Sequence, residues 1–220
     1  MLRDVDMNEI SDGKLYRNTD MVKIGVRDCE GCSYCCKAAS DTILLDPFDI
    51  YNLTRVTCLS TNELKNNGYI RTRIVDGMVQ PYLSIDEEKG CVFLNEEQRC
   101  SIHNYRPGIC RLFPLGRIYK DDTFYYFNQI HECISKLSRT KVKISKWLGI
   151  ENQKAYDEFI LKWHGLITDF REVLEDANLR EAHEYNLYFY NLFYMLPYKE
   201  DFYQEINNRI VKFLIKIDKK

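Results

Sequence analysis

The stretch DCEGCSYCCK, residues 28–37, sets four cysteines within eight positions and ends them with two side by side. Thiolates at two-residue gaps suit a metal, because a loop turning around an ion can aim every third side chain at it. Cys29-x2-Cys32-x2-Cys35 repeats that gap twice. A mononuclear zinc site ordinarily takes one such pair and draws its second pair from elsewhere in the chain. Three ligands at consecutive two-residue gaps instead match the run that holds a [4Fe–4S] cube, each cysteine on a different iron and the fourth thiolate arriving from a distance. Four thiols packed this densely are hard to obtain as core filler, so the spacing points to a metal-binding fold built from short elements.

Working outward, the distant candidates for further ligands are Cys91, Cys100, Cys110 and Cys133. Cys110 sits in YRPGICRLFP, with Pro107 before it and Pro114 after it. The doublet constrains the geometry. In a strand Cys35 and Cys36 point to opposite faces, and in a helix they diverge by about 100°. One of them then ligates while the other packs as a small hydrophobe, or the two serve separate centres. Without Cys58 the eight remaining thiols make two sets of four, which permits two zinc sites of four thiolates; one cube with four further thiols is equally permitted. Cys58, in RVTCLST, has no partner spacing and is assigned to the core. His103 and His131 lie among the cysteines and are read as surface or hydrogen-bonding residues, because thiols are already abundant there.

Hydrophobic content of 45% and charged content of 29% are those of an ordinary globular chain that buries a core without cross-links. A net charge of −2 supplies no basic footprint for nucleic acid, so no nucleic-acid partner is expected. The first residues, MLRDVDMNEISDGK, contain no apolar signal core, and no run approaches the roughly 18 apolar residues of a membrane span. The expected setting is therefore cytoplasmic, without a membrane partner. Thiols stay reduced there, and nine cysteines argue against a disulfide framework.

Eight cysteines fall between positions 29 and 110 and the last is Cys133, so the composition shifts near residue 138. The expected organisation is α+β: a cysteine-cluster metal-binding domain over 1–138 and a C-terminal helical region over 139–220, packed on or beside it. In the first part, TILLDPFDIYNL predicts a strand and then a helix capped by Asp46 with Pro47 at its first position. YIRTRIVDGMVQPYLSI alternates on both sides of Asp76-Gly77 and predicts a hairpin. CVFLNEEQRCSIH predicts a second, with Cys91 at its entry and Cys100 on its return strand, and GRIYKDDTFYYFN a third. Past residue 140 the period changes. Tyr156, Phe159, Ile160, Trp163, Leu166, Ile167, Phe170, Val173 and Leu174 recur at helical spacing. EAHEYNLYFYNLFYML is apolar nearly all round and predicts a buried helix ending at Pro197. Tyr203, Ile206, Ile210, Phe213, Leu214 and Ile217 mark a third amphipathic helix.

A centre of four thiolates is anionic, and burying it requires compensation. Lys37, Arg99, Arg106 and Arg111 flank the cysteines closely, and Arg106 and Arg111 bracket Cys110. Either arginine is also able to hold a carboxylate through paired hydrogen bonds. None of the ten glycines forms a GxG, and there is no P-loop, GxSxG or HExxH. Small-molecule chemistry would have to take place at the metal.

Together, CEGCSYCC and CVFLNEEQRCSIHNYRPGICRLFP resemble the cysteine-cluster family of zinc- or iron-chelating proteins, which includes the flagellin lysine N-methylases. The resemblance covers roughly residues 25–135 and rests on the doublet, the C-V-F-L entry, the C-S-I segment and the R-P-x-x-C-R-x-F-P segment. It implies a metal set of Cys29, Cys32, Cys35, Cys36, Cys91, Cys100, Cys110 and Cys133. The expected family pattern places three residues between its first two cysteines, where this chain has two. The flagellin-modifying members imply a [4Fe–4S] cluster, S-adenosylmethionine as cofactor, and methyl transfer to a lysine of a protein substrate such as flagellin. For that cofactor, Arg106 and Arg111 are the candidate binding residues. The spacing differs by one residue from the C-x3-C-x2-C motif of radical enzymes, and no barrel-length domain follows. The rival expectations are a non-catalytic zinc module that binds a partner and an electron-transfer or metal-handling protein.

Overall fold

The computed structural model describes residues 6–25, 32–39, 42–130, 132–133, 139–199 and 201–218. In chain order its first elements are α1 (Met7–Ile10), β1 (Met21–Gly25), α2 (Tyr34–Ala38), α3 (Pro47–Thr57), α4 (Thr61–Asn66), β2 (Ile70–Val75) and β3 (Met78–Leu83). They are followed by β4 (Ile85–Asp86), β5 (Gly90–Cys91), a 3-10 turn at His103–Tyr105, α5 (Gly108–Leu112), β6 (Leu115–Lys120), β7 (Thr123–Asn128) and β8 (Thr140–Lys143). The last are α6 (Ile144–Leu148), α7 (Gln153–Asp176), α8 (Leu179–Tyr190), a π turn at Asn191–Met195 and α9 (Phe202–Ile217). The class is α+β, with the strands in small separate antiparallel pairs. Among the described residues, no helix is long and apolar enough to cross a membrane.

The chain forms two compact units, one of residues 1–43 and 85–151 and the other of 44–84 and 152–220. The α3–β3 segment thus groups with the C-terminal helices rather than with the cysteines, and 139–151 stays with the cysteines. The composition shift near residue 138 marks where cysteines stop, whereas compactness follows which apolar faces share a core.

In the first unit β1 pairs with β8, with a register shift between Lys23 and Gly25. The β6–β7 hairpin turns through Asp121 and Asp122, at φ 53° and 54°. That pair of left-handed residues is the two-residue turn whose twist suits a hairpin. Val22 and Ile24 of β1, Leu115, Tyr126, and Ile144, Trp147 and Leu148 of α6 close a core. The Trp147 indole N–H donates to the Phe113 carbonyl at 3.2 Å, so its polar edge is satisfied inside that core.

In the second unit α3 begins as expected. Asp46 accepts from the Asp49 N–H at 2.8 Å while the Asp49 side chain accepts from the Asp46 N–H at 3.2 Å, with Pro47 at the first helical position. The β2–β3 hairpin pairs Val75 with Met78 across Asp76-Gly77, at φ 50° and 76°. Asn186 of α8 pins it: its Oδ1 accepts from the Val79 N–H at 2.7 Å and its Nδ2 donates to the Gly77 carbonyl at 2.9 Å. The core is aromatic. Phe170 and Phe213 meet edge-on at 4.9 Å between centroids, Phe170 and Phe189 at 4.9 Å, and Trp163 and Phe193 at 5.1 Å.

Two expectations are corrected here. The helix predicted as apolar nearly all round is one-sided: Leu187 is 57% and Leu196 51% exposed, while Phe189 and Leu192–Tyr194 are buried. Its apolar side chains outnumber the neighbours available to cover them. Cys58, assigned to the core, is exposed at the C-cap of α3, at φ 57° and ψ 28°. Helices often end on one left-handed residue, and here the cap falls on a cysteine.

Candidate metal centre

The site is built in the first unit from two segments that the sequence separates widely. Cys35 and Cys36 occupy the short helix α2, and Cys91 ends β5. The two elements touch at Gly90, which holds φ +83°; a Cβ there would stand 2.8 Å from the Cys36 carbonyl oxygen and 3.0 Å from the Lys37 Cα. Only glycine combines that backbone conformation with that approach.

From Cys91 the chain makes a tight loop. The Leu94 N–H donates to the Cys91 carbonyl, Asn95 and Arg99 bond across the turn, and the Ser101 N–H returns to the Phe93 carbonyl, each at 2.9 Å. This is the expected reversal between Cys91 and Cys100, but it pairs as a single bridge, Leu94 to Cys100, rather than as two extended strands.

Cys35, Cys91 and Cys100 are half-buried and lie within electrostatic reach of one another. The Cys35 thiol is pushed far up, first by a hydrogen bond with the Cys36 thiol and then by burial. Burial chiefly raises Cys91 and Cys100 as well. Opposing this, the Phe93 N–H is directed at the Cys91 sulfur and the Ile102 N–H at the Cys100 sulfur, each two residues on, and both favour the thiolate. Arg106 and Arg99 act in the same direction on Cys100.

The doublet departs from expectation. Cys35 and Cys36 leave the helix in different directions at Cβ, yet their thiols are in hydrogen-bonding contact. The helical angle between neighbouring residues describes where side chains start, and rotation about χ1 brings the two sulfurs together.

Cys32, Cys110 and Cys133 are half-buried in the same unit. Cys110 lies on α5, and the Cys133 carbonyl accepts from Arg139 at 2.6 Å. Cys29 and His131 lie outside the described residues. Among the described residues, no group of three or more His, Cys, Asp or Glu side chains is set closely enough to hold a metal ion as it stands. The donor set nevertheless suits a thiophilic metal: Cys35, Cys91 and Cys100 are soft, half-buried thiols within electrostatic reach of one another, and backbone N–H groups are already aimed at two of the sulfurs.

The two arginines separate. Arg111 is buried, its guanidinium donating to the Leu148 carbonyl at 3.2 Å and to the Asn104 carbonyl, so it ties α5 to its surroundings. Arg106 lies against His103 Nε2, and its buried Nε–H has no hydrogen-bond partner among the described residues. Its charge therefore stands beside the Cys100 thiol with a donor to spare.

Sequence reasoning missed Gly90 and the two N–H donors. The repeated arrangement of a cysteine followed two residues later by a large apolar residue, in Cys91-Val92-Phe93 and Cys100-Ser101-Ile102, carries the signal for those donors.

Residues 28–134, just under half of the chain, match the family CxxCxxCC, described as "Putative zinc- or iron-chelating domain". Residues 28–134 are thus similar to this zinc- or iron-chelating family. The family's printed pattern has two residues between its first cysteines, not the expected three, and Cys29, Cys32, Cys35 and Cys36 follow it position by position. No curated protein matches the chain, and no solved structure does.

Proposed function

We propose that the cysteine-bearing unit binds a [4Fe–4S] cluster through Cys35, Cys91 and Cys100, with the fourth thiolate from the same N-terminal run. The observation that carries this reading is that Cys35 lies within electrostatic reach of Cys91 and Cys100, more than fifty positions further along the chain. The consecutive two-residue gaps of Cys29, Cys32 and Cys35 support iron, since each thiolate then caps a different corner of a cube. Arg106 and Arg99 offset the charge of such a centre.

Zinc is the second reading, and one contact favours it. The Cys36 thiol lies against that of Cys35, and these two with Cys91 and Cys100 would make up the full complement of a structural zinc site.

The resemblance to the flagellin lysine N-methylases extends the first reading to methyl transfer from S-adenosylmethionine to a lysine of a protein substrate. That extension calls for three thiolates on the cluster rather than four, since only an iron without a thiolate would be open to chelate the amino and carboxylate groups of that cofactor. Of the two candidate arginines, Arg106 has the spare donor for the carboxylate, because Arg111 is engaged with two backbone carbonyls. In the transfer the methyl carbon leaves the sulfonium sulfur for the lysine nitrogen, the lysine gives up one proton, and S-adenosylhomocysteine departs.

Protein purified without oxygen from iron-replete cells tests this. The proposal expects a brown protein with a broad charge-transfer band and about four irons and four sulfides per chain. Colourless protein with stoichiometric zinc would select the zinc module. Calorimetry with S-adenosylmethionine at millimolar concentration tests the catalytic extension, which is withdrawn if an intact cluster gives no binding heat.

A further inference from the structure

We infer that Cys35 and Cys36 are a site of reversible oxidation, closed by hydrogen peroxide into a disulfide between neighbouring residues that switches metal uptake off. The switching of metal uptake rests on the metal reading above; the oxidation itself does not.

Three features set this pair apart. Its two thiols are already in hydrogen-bonding contact, whereas Cys91 and Cys100 lie within electrostatic reach of Cys35. Closing a ring between chain neighbours also costs the least loop entropy. Both thiols are half-buried on a helix whose Tyr34, Lys37 and Ala38 are exposed, so a small oxidant reaches them. Finally, α2 is lightly held: it has five residues, none of them buried, and no side-chain cap at its start. The loop from Cys91 to Cys100 is pinned instead by the Leu94 N–H on the Cys91 carbonyl and the Ser101 N–H on the Phe93 carbonyl.

The geometry makes such a bond a switch rather than a staple. Neighbouring Cα atoms stand about 3.8 Å apart across a trans peptide, closer than the roughly 4.4–6.8 Å of ordinary disulfides. The small ring is strained, and strained disulfides are the readily reduced, regulatory kind. To admit it, α2 must open at the peptide between the two cysteines. That turns the Cys36 carbonyl, which packs against Gly90.

The chemistry balances with peroxide as the oxidant. One thiolate attacks a peroxide oxygen, the O–O bond breaks, a sulfenic acid forms and hydroxide leaves. The neighbouring thiolate attacks that sulfur, the S–S bond forms and a second hydroxide leaves. The hydroxides take up the two thiol protons. Two thiols and one peroxide thus give one disulfide and two waters, and the sulfurs lose the two electrons that the peroxide gains. Only a thiolate ligates a metal, so the oxidised pair withdraws both sulfurs from the centre. A bound metal occupies the same sulfurs and protects them.

The tryptic peptide of residues 28–37 also carries Cys29 and Cys32. The test therefore uses the full chain with Cys29→Ser and Cys32→Ser beside the wild type, both reduced and stripped of metal, with circular dichroism to compare their folds. After one equivalent of hydrogen peroxide and then alkylation, peptide 28–37 of the variant should be unalkylated and about 2 Da lighter than its free-thiol mass. Millimolar reduced glutathione should restore both thiols. The wild type should fall from nine thiols to about seven, and the oxidised chain should take up zinc about tenfold more weakly or worse until it is reduced again. A peptide 28–37 that keeps both thiols, or that becomes cross-linked to residues 90–99 or 100–111, would overturn the inference. So would an oxidised wild type that binds zinc as tightly as the reduced one. A reduced chain that took up no metal would count against the metal reading, while the peptide masses would still decide the oxidation.

Discussion

Replacing Gly90 by alanine separates the packing of the metal centre from its chemistry. Gly90 holds φ +83°, and an added Cβ would meet the Cys36 carbonyl oxygen at 2.8 Å and the Lys37 Cα at 3.0 Å. Both are backbone atoms of α2, so no side-chain rotation relieves the contact. Left-handed backbone at a residue bearing a Cβ costs about 1–3 kcal/mol. Carbon atoms rest about 3.5–4.0 Å apart, so α2 must retreat from β5 by roughly half an ångström or more. A displacement of that kind ranks with core overpacking, at about 1–3 kcal/mol. The combined loss is about 2–6 kcal/mol. The consequence for metal is sharper, because ligand distances are tolerated only to about 0.2 Å and the retreat carries Cys35 and Cys36 away from Cys91. Gly13→Ala is the control: its φ is +71°, but no atom lies within 4 Å of the added Cβ. It should lose the backbone part alone and keep its metal. The assay is metal per chain by elemental analysis of anaerobically prepared protein, beside a denaturant midpoint for each variant. Gly90→Ala that retains wild-type metal and loses no more stability than Gly13→Ala would refute the reasoning that α2 and β5 together build the centre.

Further outcomes are open to measurement. Cys35→Ser and Cys100→Ser should each abolish stoichiometric metal and destabilise the cysteine-bearing unit, because metal affinity there is part of the folding energy; Cys58→Ser, at an exposed cap, should leave metal content unchanged, and equal loss from all three would show the ligand set to be misassigned. Burial raises the phenols of Tyr194, Tyr198 and Tyr203 and pushes Tyr190 up to about 12. The unfolded chain releases these protons near pH 10 while the folded chain keeps them, so the folded state binds more protons and stability falls as pH rises above about 10. Absorbance at the phenolate band during an alkaline titration should show these tyrosines ionising late, together with unfolding; ionisation of all sixteen near pH 10 in a chain that stays folded would count against it. Asn186→Leu should cost about 2–4 kcal/mol in a denaturant titration, since it strands the Val79 N–H and the Gly77 carbonyl; a change below about 0.5 kcal/mol would mean the hairpin is held otherwise.

Local features were legible because local physics decides them. Asp46 before Pro47, and Asp76-Gly77 between alternating strands, specify a cap and a turn through bonds and dihedrals a few residues long. The stripes from Tyr156 to Phe170 and from Ile206 to Ile217 announced their buried faces through the period of the helix. The cysteine spacing likewise identified a zinc- or iron-chelating domain, because a metal constrains the residues on either side of each ligand. Other features depended on distant partners. Whether Cys58 is buried, or α8 covered on every side, rests on how much apolar surface other segments have available. Grouping 44–84 with the C-terminal helices follows from packing across more than a hundred residues, as the Asn186 bonds to the β2–β3 hairpin illustrate. The placing of Cys35 within electrostatic reach of Cys91 and Cys100 belongs to this second kind. Spacing makes each thiol a candidate, but only the close approach of α2 to Gly90 sets Cys35 near Cys91 and Cys100, and a contact between segments so far apart leaves no periodic trace in either.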